Sequence, residues 1–166
     1  MIFRQIKSED SAEFLRLLIS LDNESKFMLY EPDERNMTVE ETEMMLKGII
    51  ASGSYAVGCF SDNQLVGFAT LRRGFAKRNN HSGYVVIGVM KTSSSKGYGT
   101  SLIDEIEKWA VENEITRLEL TVMKHNKRAL ELYLRSGYEI EGTKKNSLII
   151  DGEYVDEYYM SKVLIV

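Results

Sequence analysis

The sequence predicts a mixed α/β fold: a central, largely antiparallel sheet flanked by helices on both faces. Three observations carry this. Short β-rich runs alternate with amphipathic helical stretches. The two-residue turn Asp151-Gly152 joins two long alternating segments into a hairpin. One strand–helix–strand passage, from "SGYVVIGVM" through "GTSLIDEIEKWAVENE" to "TRLELTV", has the spacing of a parallel crossover. The implied order is β-α-α-β-β-β-α-β-α-β-β.

Taken in order, "MIFRQI" alternates as a short strand, and "SEDSAEFLRLLISLDNESKFML" then sets Phe14, Leu17, Leu18 and Leu21 on one helical face. "EPDERN", with the only proline, is a loop, and Thr38 and Glu41 are spaced as a capping box for a second helix in "TVEETEMMLKGIIASG". "SYAVGCF" and "QLVGFATLRR" form a hairpin across "SDN", and "SGYVVIGVM" continues the sheet after "KRNNH". The next helix carries Leu102, Ile103, Ile106, Trp109 and Ala110 on one stripe. "NKRALELYLRSG" is a short helix ending at Gly137, and "YEIEGTKKNSLII" with "EYVDEYYMSKVLI" close the chain as two strands.

A chain of 166 residues that is 43% hydrophobic can bury one sizeable core, so residues 1–166 are expected to form a single domain. A net charge of -4 argues against nucleic acid or an anionic membrane as partner. The lone Cys59 lies in an apolar run and reads as a buried thiol, and the start "MIFRQIKSED" has no long apolar core behind a basic start. No window approaches the ~20 apolar residues of a membrane span. A soluble, cytoplasmic protein is expected. With two histidines and no Cys/His cluster, no metal site is expected. The aromatic last strand suggests a homodimer contact.

Two segments carry chemistry. The loop from Met90 to Thr100 joins a strand end to a helix start, where free amides and the helix dipole favour an anion such as a diphosphate. Gly97 and Gly99 either bring that backbone close to a ligand or only make a tight connection. The spacing fits neither a Walker loop nor a full dinucleotide fingerprint, which argues against a nucleotide phosphotransferase. In the second segment, Asn126 and Tyr133 fall on one helical arc with Ala129, Leu130, Leu132 and Ser136, opposite Lys127, Arg128, Glu131 and Arg135. Asn126 suits a helix cap as well as a ligand contact, and Tyr133 suits a core aromatic as well as a proton donor.

Together these segments resemble the GNAT superfamily of acyl-CoA-dependent N-acetyltransferases. "VMKTSSSKGYGTSL" is similar to the family's diphosphate loop, and "NKRALELYLRSGYEIEG" to its segment with Asn, Ala, Tyr and Gly at matching spacing. One departure stands out: Ser94 occupies the place of the usual Gln or Arg, so a side-chain contact to phosphate is missing or comes from Lys96. The resemblance implies acetyl-CoA as cosubstrate, with Ile87, Gly88 and Val89 along its pantetheine, Gly88 at a bulge that splays this strand from the next, and the Val89 amide at the thioester carbonyl. It also implies that Ser94, Lys96, Gly97, Tyr98, Gly99 and Thr100 hold the diphosphate, that Asn126 and Ala129 flank the pantetheine arm, and that Tyr133 stands at the sulfur.

For such a transfer a neutral amine attacks the thioester, an oxyanion forms, and a thiolate leaves. Tyr133, with an ordinary pKa of about 10 near that of a thiol, would protonate the sulfur. Glu119, His81 and Glu31 are the candidate bases, and loss of the proton to water is the alternative. No cysteine is placed to take the acyl group, so a ternary complex is expected. The acceptor is expected to be a small-molecule amine or a peptide or protein amino group. A non-catalytic acyl-CoA-binding domain is the alternative.

Overall fold

The computed structural model describes residues 1–165. Its strands and helices follow the expected order: β1 Ile2–Gln5, α1 Ser11–Glu24, α2 Val39–Ala51, β2 Tyr55–Ser61, β3 Gln64–Arg73, β4 Ser82–Val89, α3 Tyr98–Glu112, β5 Arg117–Met123, α4 Lys127–Arg135, β6 Glu139–Ile150 and β7 Glu153–Val163. The seven strands form one sheet in the order β1-β2-β3-β4-β5-β7-β6. All neighbours are antiparallel except β4 and β5.

Local chemistry sets the boundaries. The Thr38 hydroxyl accepts from the Glu41 amide at 3.1 Å, and the Glu41 carboxylate accepts from the Thr38 amide at 2.9 Å, which closes the capping box of α2. The turns Asp62-Asn63 and Asp151-Gly152 have positive φ at both positions, the geometry that follows the strands' twist in a two-residue hairpin. Gly137 ends α4 with a φ of 87°.

Alternating side chains divide the interior between the two sheet faces. Val57, Ala69, Leu71, Val85, Leu118, Leu120 and Val122 pack with Leu102, Ile103, Ile106 and Ala110 of α3. Ala56 and Phe68 join Phe14, Leu17, Leu18 and Leu21 of α1 and Leu46 and Ile49 of α2 on the other face.

The closing hairpin inserts its second strand beside β5, so β7 lies between β5 and β6 and the sheet edges are β1 and β6. One expectation is corrected: Gly88 is not a bulge, since the β3–β4 register runs unbroken from Gly67↔Val89 to Arg73↔Gly83. A Cβ at Gly88 would lie 2.8 Å from both Leu21 Cδ1 and Phe68 Cε1, so glycine there lets α1 pack against the sheet. β4 and β5 part much earlier. Their pairing covers only Ser82–Tyr84 with Arg117–Glu119.

Candidate functional site

The parting of β4 from β5 leaves backbone groups without a strand partner. Gly74 donates to Ser82 and Met90 donates to Val66, each at 2.9 Å, so every second residue of β4 between these points bonds to β3. The intervening residues, Val85, Ile87 and Val89, therefore turn their N–H and C=O groups toward β5. Beyond Tyr84 and Glu119, β5 is no longer paired there. The result is an open polar edge inside a sheet.

At the end of that edge the chain makes one 3₁₀ turn, Lys91–Ser93, and enters α3. The amides of Ser95, Lys96, Gly97, Tyr98, Gly99 and Thr100 donate to no protein acceptor among the described residues. Such a cluster of donors at the start of a 15-residue helix has the chemistry to take an anion. The two glycines have different reasons. Gly97 has a φ of 78° and open space around it, so it is there for backbone conformation. Gly99 has a negative φ, but a Cβ there would sit 2.9 Å from Leu132 Cδ2, so it lets α4 pack close to α3.

Charge around this loop is one-sided. The first turns of α1 and α2 carry Glu13, Glu40 and Glu41, whereas those of α3 and α4 carry no acid. Ser94 directs both its donors inward: its amide and its hydroxyl bond to the Lys91 carbonyl, at 3.2 Å and 2.8 Å. Its hydroxyl thus has no proton for a phosphate.

Downstream, Asn126 caps α4 by accepting from the Ala129 amide at 3.3 Å, which leaves its side-chain NH₂ free to donate. Tyr133 is buried and stacks obliquely on Tyr138 at 5.8 Å between centroids. The Tyr133 hydroxyl makes no hydrogen bond among the described residues. Burial, with Tyr84 nearby, pushes its pKa up to about 12, not the ordinary value near 10 that the sequence suggested. The phenol therefore stays protonated throughout the physiological range. An unfolded chain releases this proton near pH 10 while the folded one holds it to about 12, so stability falls as pH rises across that interval and is unaffected below it. The melting temperature is expected to drop more steeply above pH 10 in the native chain than in Tyr133→Phe; equal slopes would contradict the burial.

The candidate bases are separated. Glu119 lies where the strands part, opposite Tyr84, with its carboxylate 3.1 Å from Arg117 Nε, and Arg117 also holds Glu141 at 2.5 Å. Close by, the Tyr84 hydroxyl and Thr121 Oγ1 are 2.7 Å apart, a pair the sequence did not single out. His81 is at the opposite end of β4 from Val89, on the order of 25 Å away at the ~3.3 Å rise per residue of a strand. It is thereby removed as a base. Glu31 is exposed, in the connection between α1 and α2. That connection crosses the ends of β4 and β5: Glu24 accepts from the Lys91 amide at 2.7 Å, Phe27 meets the His125 ring at 5.2 Å, and Lys26 pairs with Asp151 at 2.6 Å. Buried Asp22 accepts from half-buried Arg35 at 2.6 Å and braces it from within.

Comparison with known proteins gives the family. The model of the acetyltransferase (GNAT) domain family matches residues 3–159. The chain belongs to the acetyltransferase (GNAT) family. A relative, the L-amino acid N-acetyltransferase AaaT of Escherichia coli (strain K12), is 34% identical over 111 residues, which are 64% of this chain and 66% of AaaT, just under two thirds of it. The GNAT-family acetyltransferase structure from Streptococcus pneumoniae superposes with a TM-score of 0.94 at 28% identity over 99% of each chain. The structure of yncA from Salmonella typhimurium, a putative acetyltransferase with its cofactor acetyl-CoA, shares the fold at a TM-score of 0.89 and 12% identity, over 100% of this chain and 95% of its own. Among the described residues no helix is long and apolar enough to cross a membrane, and no group of His, Cys, Asp and Glu is arranged to hold a metal ion.

Proposed function

We propose that this chain transfers the acetyl group of acetyl-CoA directly to a primary amine of a small molecule or of a peptide or protein, through a ternary complex. The observations that carry the proposal are the free amides at 95–100, the unpaired edge of β4 at Ile87 and Val89, and the buried phenol of Tyr133 near Tyr84, where β4 and β5 part. A diphosphate fits the first, an amide-bearing pantetheine the second, and a thioester sulfur the third. The acetyl-CoA in yncA and the amino-acid acceptor in the name of AaaT support the same reading.

Each residue then has a task. The loop amides, with Lys96, hold the diphosphate. Asn126 and Ala129 flank the pantetheine, and the Val89 N–H points at the carbonyl oxygen where negative charge develops. The amine nitrogen bonds to the carbonyl carbon, the C–S bond breaks, and Tyr133 donates its proton to the departing thiolate. Burial keeps that phenol protonated, so it serves as a donor and not as a base. Glu119 sits opposite Tyr84, five residues along β4 from Val89 and on the order of 16 Å away at ~3.3 Å per residue, so it takes up the amine's proton through water and not directly. Buried Cys59 lies on β2 with its thiol pushed up by burial, far from a nucleophile's needs, and a reducing cytoplasm suits it. No covalent acyl-enzyme is formed.

Thiol release from acetyl-CoA, measured with a panel of polyamines, aminoglycosides, amino acids and N-terminal peptides, tests the proposal. One amine class is expected to be acetylated, with intersecting initial-velocity lines. Parallel lines, or acetyl-CoA binding without thiol release for any amine, would contradict it.

A further inference from the structure

The loop lacks the Gln or Arg that the resemblance leads one to expect at position 94, and the structure shows what occupies that space. Arg128, in the first turn of α4, reaches over the loop and donates from Nη1 to Ser94 Oγ at 2.9 Å and from Nη2 to the Ser94 carbonyl oxygen. Both contacts use oxygens, so the guanidinium keeps its full charge and has three of its five donors left. No carboxylate neutralises it among the described residues. Its placement is otherwise costly: Lys127 and Arg128 stand at the positive end of the α4 dipole, where helices favour acids. An anion bound between the starts of α3 and α4 would offset that cost.

The serine has a matching role. Its hydroxyl proton goes to the Lys91 carbonyl, which orients the oxygen lone pairs outward to receive Arg128. Ser94 is thus a bracket for a cation borne by another element.

We propose that Arg128 supplies the phosphate-binding side chain of this site in place of a residue at 94, and that Ser94 is the positioning residue that holds it. This rests on acetyl-CoA being the ligand. The chemistry is that of a guanidinium on a phosphate dianion or diphosphate, and coenzyme A offers both kinds, at its 3′-phosphate and its diphosphate.

Calorimetric titration of the full chain with acetyl-CoA, and with its 3′-dephospho analogue, tests this. Arg128→Gln is expected to raise the acetyl-CoA Kd about 10- to 100-fold, the usual range for charge-assisted hydrogen bonds, and to flatten its dependence on salt. Arg128→Lys should recover part of the loss. Ser94→Ala should weaken binding several-fold in the native background and add nothing in Arg128→Gln, since it acts through the guanidinium. If the Arg128→Gln penalty disappears with the dephospho analogue, the partner is the 3′-phosphate; if it persists, the diphosphate. Arg128 is exposed, and an unchanged melting temperature will show that the variant is folded. A correctly folded Arg128→Gln that binds acetyl-CoA as tightly as the native chain overturns the proposal alone. A native chain that does not bind acetyl-CoA overturns it together with the proposed function.

Discussion

Tyr133→Phe is expected to lower kcat by roughly 10²–10⁴-fold, the range for a positioned general acid, with little change in the Kd for acetyl-CoA. The structure makes this variant unusually informative. The hydroxyl makes no internal hydrogen bond, so removing it leaves the fold's own network intact, and the melting temperature at neutral pH should hold. A structural role would show the reverse pattern, with stability lost and turnover retained. The pH profile separates the roles further: with the phenol held to about 12, no alkaline fall in kcat below pH 11 can come from Tyr133. Unchanged turnover in Tyr133→Phe would remove it from the mechanism.

Gly97→Val is expected to raise the acetyl-CoA Kd about 10- to 100-fold. A β-branched residue at a φ of 78° is strained by about 1–2 kcal/mol or more, and the loop relieves that strain by turning its amides out of line. Each charge-assisted bond then lost is worth about 1.5–3 kcal/mol. Gly99→Ala is the informative contrast. Its Cβ meets only the terminal methyl of Leu132, 2.9 Å away, and no ligand; that side chain can move aside, so the acetyl-CoA Kd is expected to hold and the melting temperature to change little. Titration and thermal unfolding of both variants will check this. Equal losses of affinity in both would contradict the separate reasons assigned to the two glycines.

The element order was legible because the period of the apolar pattern changes cleanly between strands and helices, and because Thr38, Gly137 and Asp151-Gly152 punctuate the chain through local chemistry. What depended on non-local contact was not legible. Gly88 looks like a bulge in sequence, but it is a glycine because Leu21 and Phe68 press on it from α1 and β3. The order of strands in the sheet was likewise set by distant pairing: β7 pairs with β5 on one side and β6 on the other. In the site, the helical arc put Asn126 and Tyr133 on the inner side, and the structure agrees. The same projection set Arg128 outward and could not show that outward from α4 means over the loop at Ser94, which is 34 residues earlier. A usable signal was present: two cations and no acid in a first helical turn.

The most direct measurement is a crystal structure with acetyl-CoA. The account predicts the diphosphate on the amides of residues 95–100, the pantetheine between β4 and β5 against Ile87 and Val89, and the sulfur within hydrogen-bond reach of the Tyr133 hydroxyl. A cofactor bound away from the parted strands, or a Tyr133 hydroxyl turned from the sulfur, would contradict it.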